Sequence, residues 1–184
     1  TNDTTCVSNA LAAASAATGK KLYFPAGTYL TDGFTTTTNS LIIQGDGPGK
    51  SIIKSNNNAA LMTFNNASVV THSITIRDLS LVGFGSGTNN HGIYFTGANE
   101  PFDITIQNVR LNNFFGTGIY AAGPGSLFTS RLEDVDIDMP SGASGHAIDL
   151  LGAQTNTIIR TYVHNVATSK VAYRLRQGSW TLIG

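Results

Sequence analysis

A four-residue phrase returns along the second half of the chain as Gly92-Ile93-Tyr94-Phe95, Gly118-Ile119-Tyr120-Ala121, Ala147-Ile148-Asp149-Leu150 and Ala172-Tyr173-Arg174-Leu175. Its second position advances by 26, 29 and 25 residues from copy to copy, and a near-constant period of this length restricts the chain to repeat architectures before any other clue is weighed. A second phrase interleaves with the first: Ile74-Thr75-Ile76-Arg77-Asp78-Leu79, Ile104-Thr105-Ile106-Gln107-Asn108-Val109, Leu132-Glu133-Asp134-Val135-Asp136-Ile137 and, more loosely, Ile159-Arg160-Thr161-Tyr162-Val163-His164. Apolar and polar residues alternate within each copy, as in a strand with one buried face. The alternation slips by one at Asp78, Asn108, Asp134 and Thr161. Short polar residues of this kind bond to their own backbone and let a strand bend, so these positions are expected to be corners.

A repeat of two or three short strands with no helix between copies cannot bury its apolar face alone. Coiling solves this: each turn stacks on the last at about 4.8 Å, and equivalent residues form columns. The pattern predicts an all-β parallel β-helix with inward columns Ile76, Ile106, Leu132, Ile159, then Leu79, Val109, Val135, Tyr162, and Met62, Ile93, Ile119, Ile148, Tyr173. Each such side chain contributes roughly 1.5–3 kcal/mol when buried.

Only 12% of the 184 residues are charged and the net charge is zero, which leaves no electrostatic footprint for nucleic acid or an anionic membrane. The surface is instead rich in Ser, Thr, Asn and Gly, suited to hydrogen bonding with glycans. No segment is long and apolar enough to span a bilayer, and no export signal is visible. Cys6 stands alone, so no internal disulfide is expected, and it reads as a small buried residue on a first helix. Gly47-Pro48-Gly49-Lys50-Ser51 resembles the end of a phosphate-binding loop, but Gln44 stands where that motif needs glycine and Ile52-Ile53 continues as strand. Nucleotide binding is not expected, nor is any other cofactor.

Residues from about Thr5 to Thr18 are Ala-rich and reach Gly19, as a short helix with a glycine stop would. Such a helix caps the open apolar end of a coil array. It is followed by Leu22-Tyr23-Phe24-Pro25-Ala26-Gly27-Thr28-Tyr29, a strand, a turn and another strand. Helix and motif together resemble the start of the pectate-lyase-like right-handed, single-stranded parallel β-helix superfamily, which holds polysaccharide lyases, polygalacturonase-type hydrolases, epimerases and bacteriophage tailspikes. The pattern divides the chain into a cap over 1–34 and coils over 35–184, and because an apolar last coil with unpaired backbone groups is an aggregation template, further coils or a partner are expected to cover the last strand Trp180-Thr181-Leu182-Ile183. In composition, scarce cysteine and lack of a visible export signal the chain is most similar to tailspikes. That similarity implies a homotrimer in an extracellular or virion setting, acting on a bacterial capsule or O-antigen.

Function must be argued from the site. The outward column Thr63, Tyr94, Tyr120, Asp149, Arg174 runs beside Gly92, Gly118, Ala147 and Ala172. The small residues are expected to lower the floor of a groove, and the two tyrosines to offer stacking platforms for sugar rings. Hydrolysis needs two carboxyl groups at one bond, for which Glu133, Asp149 and Asp136 are the candidates; Arg160 and Arg110, one coil away, are positioned to engage Glu133 and Asp136 in structural ion pairs. His146, which His91 matches two residues before the inward Ile of its own copy, pairs with Arg174 as the alternative acid/base set for a lyase or epimerase on an acidic sugar. Gly145-His146 and Arg174-Leu175-Arg176 resemble two polygalacturonase motifs, but that family's catalytic aspartates have no counterpart here. The acidic calcium cluster of pectate lyases is likewise missing, and no metal is expected. A third reading is a non-catalytic adhesin using the same face.

Overall fold

Alternation along the sequence becomes inside and outside in space. The computed structural model describes residues 2–184 except 69, 100, 122–126, 128 and 153–154. One helix, α1 (Thr4–Ala16), precedes the strands β1 (Lys21–Phe24), β2 (Gly27–Thr31), β3 (Phe34–Thr36), β4 (Ile42–Gly45), β5 (Ser51–Ser55), β6 (Met62–Asn65), β7 (His72–Val82) and β8 (Ile93–Thr96). They continue as β9 (Phe102–Asn112), β10 (Ile119–Ala121), β11 (Arg131–Asp138), β12 (Ile148–Leu151), β13 (Asn156–Ile159), β14 (Tyr162–His164), β15 (Tyr173–Arg176) and β16 (Trp180–Ile183). Every strand pairing among the described residues is parallel, between one coil and the next. The molecule is a parallel β-helix of about six turns with one short N-terminal helix.

Two sheets run the length of the coil. One follows β3-β6-β8-β10-β12-β15; the other contains β1-β4-β7-β9-β11-β13-β16, with β2, β5 and β14 joined to it beyond the corner. The first carries the inward column Phe34, Met62, Ile93, Ile119, Ile148, Tyr173 in unbroken register. Ile93, Ile119 and Ile148 are fully buried, and the Phe64 and Phe95 rings stack inside the coil at 5.1 Å. α1 closes the first coil with Val7, Leu11 and Ala14, one stripe at helical spacing. Cys6 is exposed, contrary to expectation, because it lies off that stripe. The helix ends at Ala16 and Ala17 is already extended, so the chain leaves the helix before Gly19 instead of at it.

The corners sit where the backbone takes up the left-handed conformation, at Asp78, Asn108, Asp134 and Arg160, with φ of 58°, 51°, 52° and 42°. The fourth corner is therefore Arg160 and not Thr161. Arg160 is fixed there by Asp134 one coil below, through Nε to Oδ1 at 2.7 Å and Nη2 to Oδ2 at 2.9 Å. This earlier corner resets the fourth copy by one residue. Ile158, not Ile159, lies above Leu132. Tyr162 pairs with Asp136 and is 60% exposed instead of continuing the Leu79 column inward. A further left-handed set, Ser40, Ser73, Asp103 and Thr129, lies at or just before the starts of β4, β7, β9 and β11. No helix among the described residues is long and apolar enough to cross a membrane.

Candidate functional site

Strand parity puts Thr63, Tyr94, Tyr120, Asp149 and Arg174 on the outer face of the sheet that begins with β3, each directly above the last. The Tyr94 and Tyr120 rings stack with centroids 5.1 Å apart and planes 11° from parallel. His91 leans on both, 5.4 Å from Tyr94 and 4.8 Å from Tyr120. The small residues beside the column have a different task from flooring a groove. Gly92, Gly118 and Ala147 are buried, and a Cβ on Gly92 would lie 2.5 Å from the Gly118 carbonyl oxygen, one on Gly118 2.6 Å from that of Ala147. They are small because successive coils approach closely there.

The loops preceding β8, β10, β12 and β15 wall a cleft of about 380 Å³ beside this column, whose lining includes His91, Tyr120, His146, Asp149, Lys170 and Arg174. Both histidines are held by one device. The Thr117 N–H donates to His91 Nδ1 at 2.8 Å, and the Val171 N–H donates to His146 Nδ1 at 3.1 Å. An imidazole whose Nδ1 accepts carries its hydrogen on Nε2. Burial pushes both rings below their ordinary pKa, so each is neutral at pH 7 and presents an N–H, not a lone pair. His146 Nε2 lies 3.4 Å from Arg174 Nη1; both atoms bear hydrogen, so two donors face each other.

Asp149 is the one carboxylate among the described residues lining the cleft, and its side chain is only 6% exposed. Arg176 satisfies Oδ1, with Nε at 3.1 Å and Nη2 at 3.0 Å. Arg174 stands further from Oδ2, at 3.6 Å. Burial and the Asp149 charge raise the Tyr120 phenol above its ordinary pKa, keeping it protonated.

Glu133 and Asp136 lie elsewhere. Both are on β11, in the other sheet, on opposite sides of the Asp134 corner. Glu133 is gripped by Arg131 at 3.0 Å and Arg160 at 2.8 Å, bonds that hold its carboxyl below the usual range. Asp136 pairs with Arg110 and with His164, each at 3.1 Å. The cross-coil ion pairs foreseen for Arg160 and Arg110 are thus present. Thr63 lies down the column from the cleft, beside α1. Arg176, which braces Asp149, and Lys170, which lines the cleft, had not been singled out as site residues; the parity of Arg174-Leu175-Arg176 signals the first, and nothing local signals the second. No three His, Cys, Asp or Glu among the described residues gather closely enough to hold a metal ion.

A family model described as "Rhamnogalacturonase A/epimerase, pectate lyase-like" matches residues 1–183. Among solved structures the chain is similar to the A-module of Azotobacter vinelandii mannuronan C-5 epimerase AlgE4, with 20% identity and a TM-score of 0.54 over 99% of this chain and 50% of that one. The AlgE6 A-module of the same organism is also 20% identical, with a TM-score of 0.60 over 100% and 53%. A Parabacteroides merdae protein classed provisionally as a glycosyl hydrolase is 14% identical, with a TM-score of 0.68 over 99% and 89%. The chain spans about half the length of the two epimerase modules, and at these identities the likeness is one of fold. No curated protein sequence matches it.

Proposed function

Because the chain belongs to the rhamnogalacturonase A/epimerase, pectate lyase-like family, we propose that it is a polysaccharide-acting enzyme domain whose ligand lies along the Thr63–Tyr94–Tyr120–Asp149–Arg174 column and reacts beside Tyr120 and Asp149. The proposed substrate is an acidic glycan, and the chemistry is removal of the proton next to its carboxylate, the step that polysaccharide lyases and epimerases share. The observation that carries this reading is the meeting of His146 Nε2–H and Arg174 Nη1 at 3.4 Å, with Lys170 on the same cleft. Two donors and a cation facing one space need an acceptor, and a sugar carboxylate supplies two oxygens.

In this mechanism Arg174 exchanges its long contact with Asp149 Oδ2 for the sugar carboxylate. Arg174 then neutralises that carboxylate and His146 Nε2–H donates to it, which acidifies the adjacent C–H. Asp149 Oδ2, released by Arg174, takes the proton, and the electron pair passes into the carboxylate as an enolate. In elimination the neighbouring C–O bond breaks, a C=C bond forms and the Tyr120 hydroxyl protonates the departing sugar oxygen. In epimerisation Tyr120 returns a proton to the opposite face of the carbon. Two-carboxylate hydrolysis is less well supported, since Asp149 has no second carboxylate beside it among the residues lining the cleft.

The tailspike resemblance makes capsular and O-antigen polysaccharides the first substrates to try and a homotrimer the assembly to look for by sedimentation. Incubation with these, pectate and alginate is expected to yield unsaturated ends absorbing in the ultraviolet, or deuterium taken up at carbon from heavy water. New saturated reducing ends would replace this reading with hydrolysis, and binding without either product would make the protein an adhesin.

A further inference from the structure

The outward column does not stop at the tyrosines. It runs down through Thr63 to Thr35 on β3, where the face meets α1 in a second groove of about 560 Å³. We propose that this groove binds the uncharged residues of the same glycan, so that the ligand is a heteropolysaccharide laid along the coil axis with neutral sugars at the α1 end and the acidic sugar at the Arg174 end. The inference rests on the reading of the cleft above and adds a separate binding site with its own chemistry.

The lining carries the argument. Ser8 and Ser15 from α1 face Thr35, Thr37 and Thr63 across a gap kept open by Ala12. Thr38 Oγ1 donates to Ser15 Oγ at 2.8 Å, whereas the hydroxyls of Ser8, Thr35, Thr37 and Thr63 make no hydrogen bond to the protein among the described residues. Hydroxyls that both donate and accept, set among small side chains, match the hydroxyls of a sugar. The charge distribution excludes an acidic residue here. No Lys, Arg or His lines the groove, and its one ionisable group is Asp32. The Asp32 carboxylate accepts from Asn56 and Asn2, each at 3.0 Å, and these bonds hold it ionised, so a uronate would meet like charge. At the other end of the same column stand Lys170, Arg174 and Arg176 against the single carboxylate of Asp149. From Thr35 to Arg174 there are five inter-coil steps, roughly 24 Å at about 4.8 Å each, enough for several sugar residues.

The test uses uncharged cellotetraose and maltotetraose and acidic tetragalacturonate as probes, followed by amide chemical shifts of the protein. A neutral probe is expected to shift Thr35, Thr37 and Thr63, and tetragalacturonate to shift His146 and Arg174. Ala12→Trp, which fills the groove from an exposed helix position, should weaken the neutral probe by about tenfold or more and leave tetragalacturonate unchanged. Thr63→Val, which removes a hydroxyl without adding bulk, should weaken the neutral probe as well. The proposal is overturned if neither neutral probe shifts the groove, if tetragalacturonate shifts the groove in place of the cleft, or if Ala12→Trp leaves neutral binding intact. Neutral binding in the groove with no tetragalacturonate response anywhere would instead sink the acidic cleft and uphold the groove.

Discussion

Tyr94 and Tyr120, one coil apart, lie ring over ring at 5.1 Å, with His91 tilted against both. The stack spans about one inter-strand step, so it runs along the direction a glycan would follow in the proposed reading. Aromatic pairs of this kind contribute about 0.5–1.5 kcal/mol beyond the area they bury. Tyr120→Ala is therefore expected to lower thermal stability only slightly while weakening glycan affinity by about tenfold or more. Calorimetric titration alongside thermal unfolding checks both, and unchanged affinity would remove the platform.

The residue next door behaves in the opposite way. Ile119 is fully buried in the inward column between Ile93 and Ile148. Ile119→Asp places a carboxylate there with no partner, at a cost of several kcal/mol. The coil is expected to unfold, seen as loss of the strand signal in circular dichroism, whereas Tyr120→Ala keeps it.

Strand parity made this contrast legible in advance, because the copies from Met62 to Tyr173 keep one register through the β6-β8-β10-β12-β15 ladder. The interleaved phrase was legible for three copies and slipped at the fourth. Asp, Asn and Thr are residues whose own side chains favour a bend, but the corner went to Arg160, held from one coil below by Glu133 and Asp134. That cause is tertiary and leaves no local trace. The same holds for Gly92 and Gly118, whose smallness reflects the approach of the next coil, and for the histidines. Whether His146 offers a lone pair or an N–H is decided by the Val171 amide, a neighbour only in three dimensions. The tyrosine, Asp149 and Arg174 column could be read from the sequence; the loop walls bearing Thr117 and Lys170 could not.

Arg174 and Arg176 share Asp149 but differ in their expected roles. Arg176 takes Oδ1 with two nitrogens, so Arg176→Met leaves a largely buried carboxylate short of its main partner and should cost about 1–3 kcal/mol. Arg174 holds Oδ2 only at 3.6 Å. Arg174→Met should cost less stability but reduce affinity for tetragalacturonate by about tenfold or more. Denaturant midpoints and titrations on both variants separate the two. Equal effects on stability and affinity in both variants would contradict the division.

The histidine device gives stability a pH dependence of definite sign. His91 and His146 are held below their ordinary pKa, chiefly by burial, and each accepts a backbone N–H at Nδ1, a bond that protonation there destroys. The unfolded chain takes up these protons first, near pH 6.5, so the stabilisation is complete above about that pH and is lost as pH falls through the lower folded values. Glu133 and Asp134, lowered by their arginine partners, add a second loss only at more acidic pH, in the carboxylate range. An Asn oxygen reaches roughly where Nδ1 sits, so the double substitution His91→Asn and His146→Asn keeps an acceptor for Thr117 and Val171 while removing the titration. Urea midpoints measured across the pH range should fall for the native protein in the histidine window and stay level for the double variant until the carboxylates protonate. The same slope in both would show that the imidazoles do not set it.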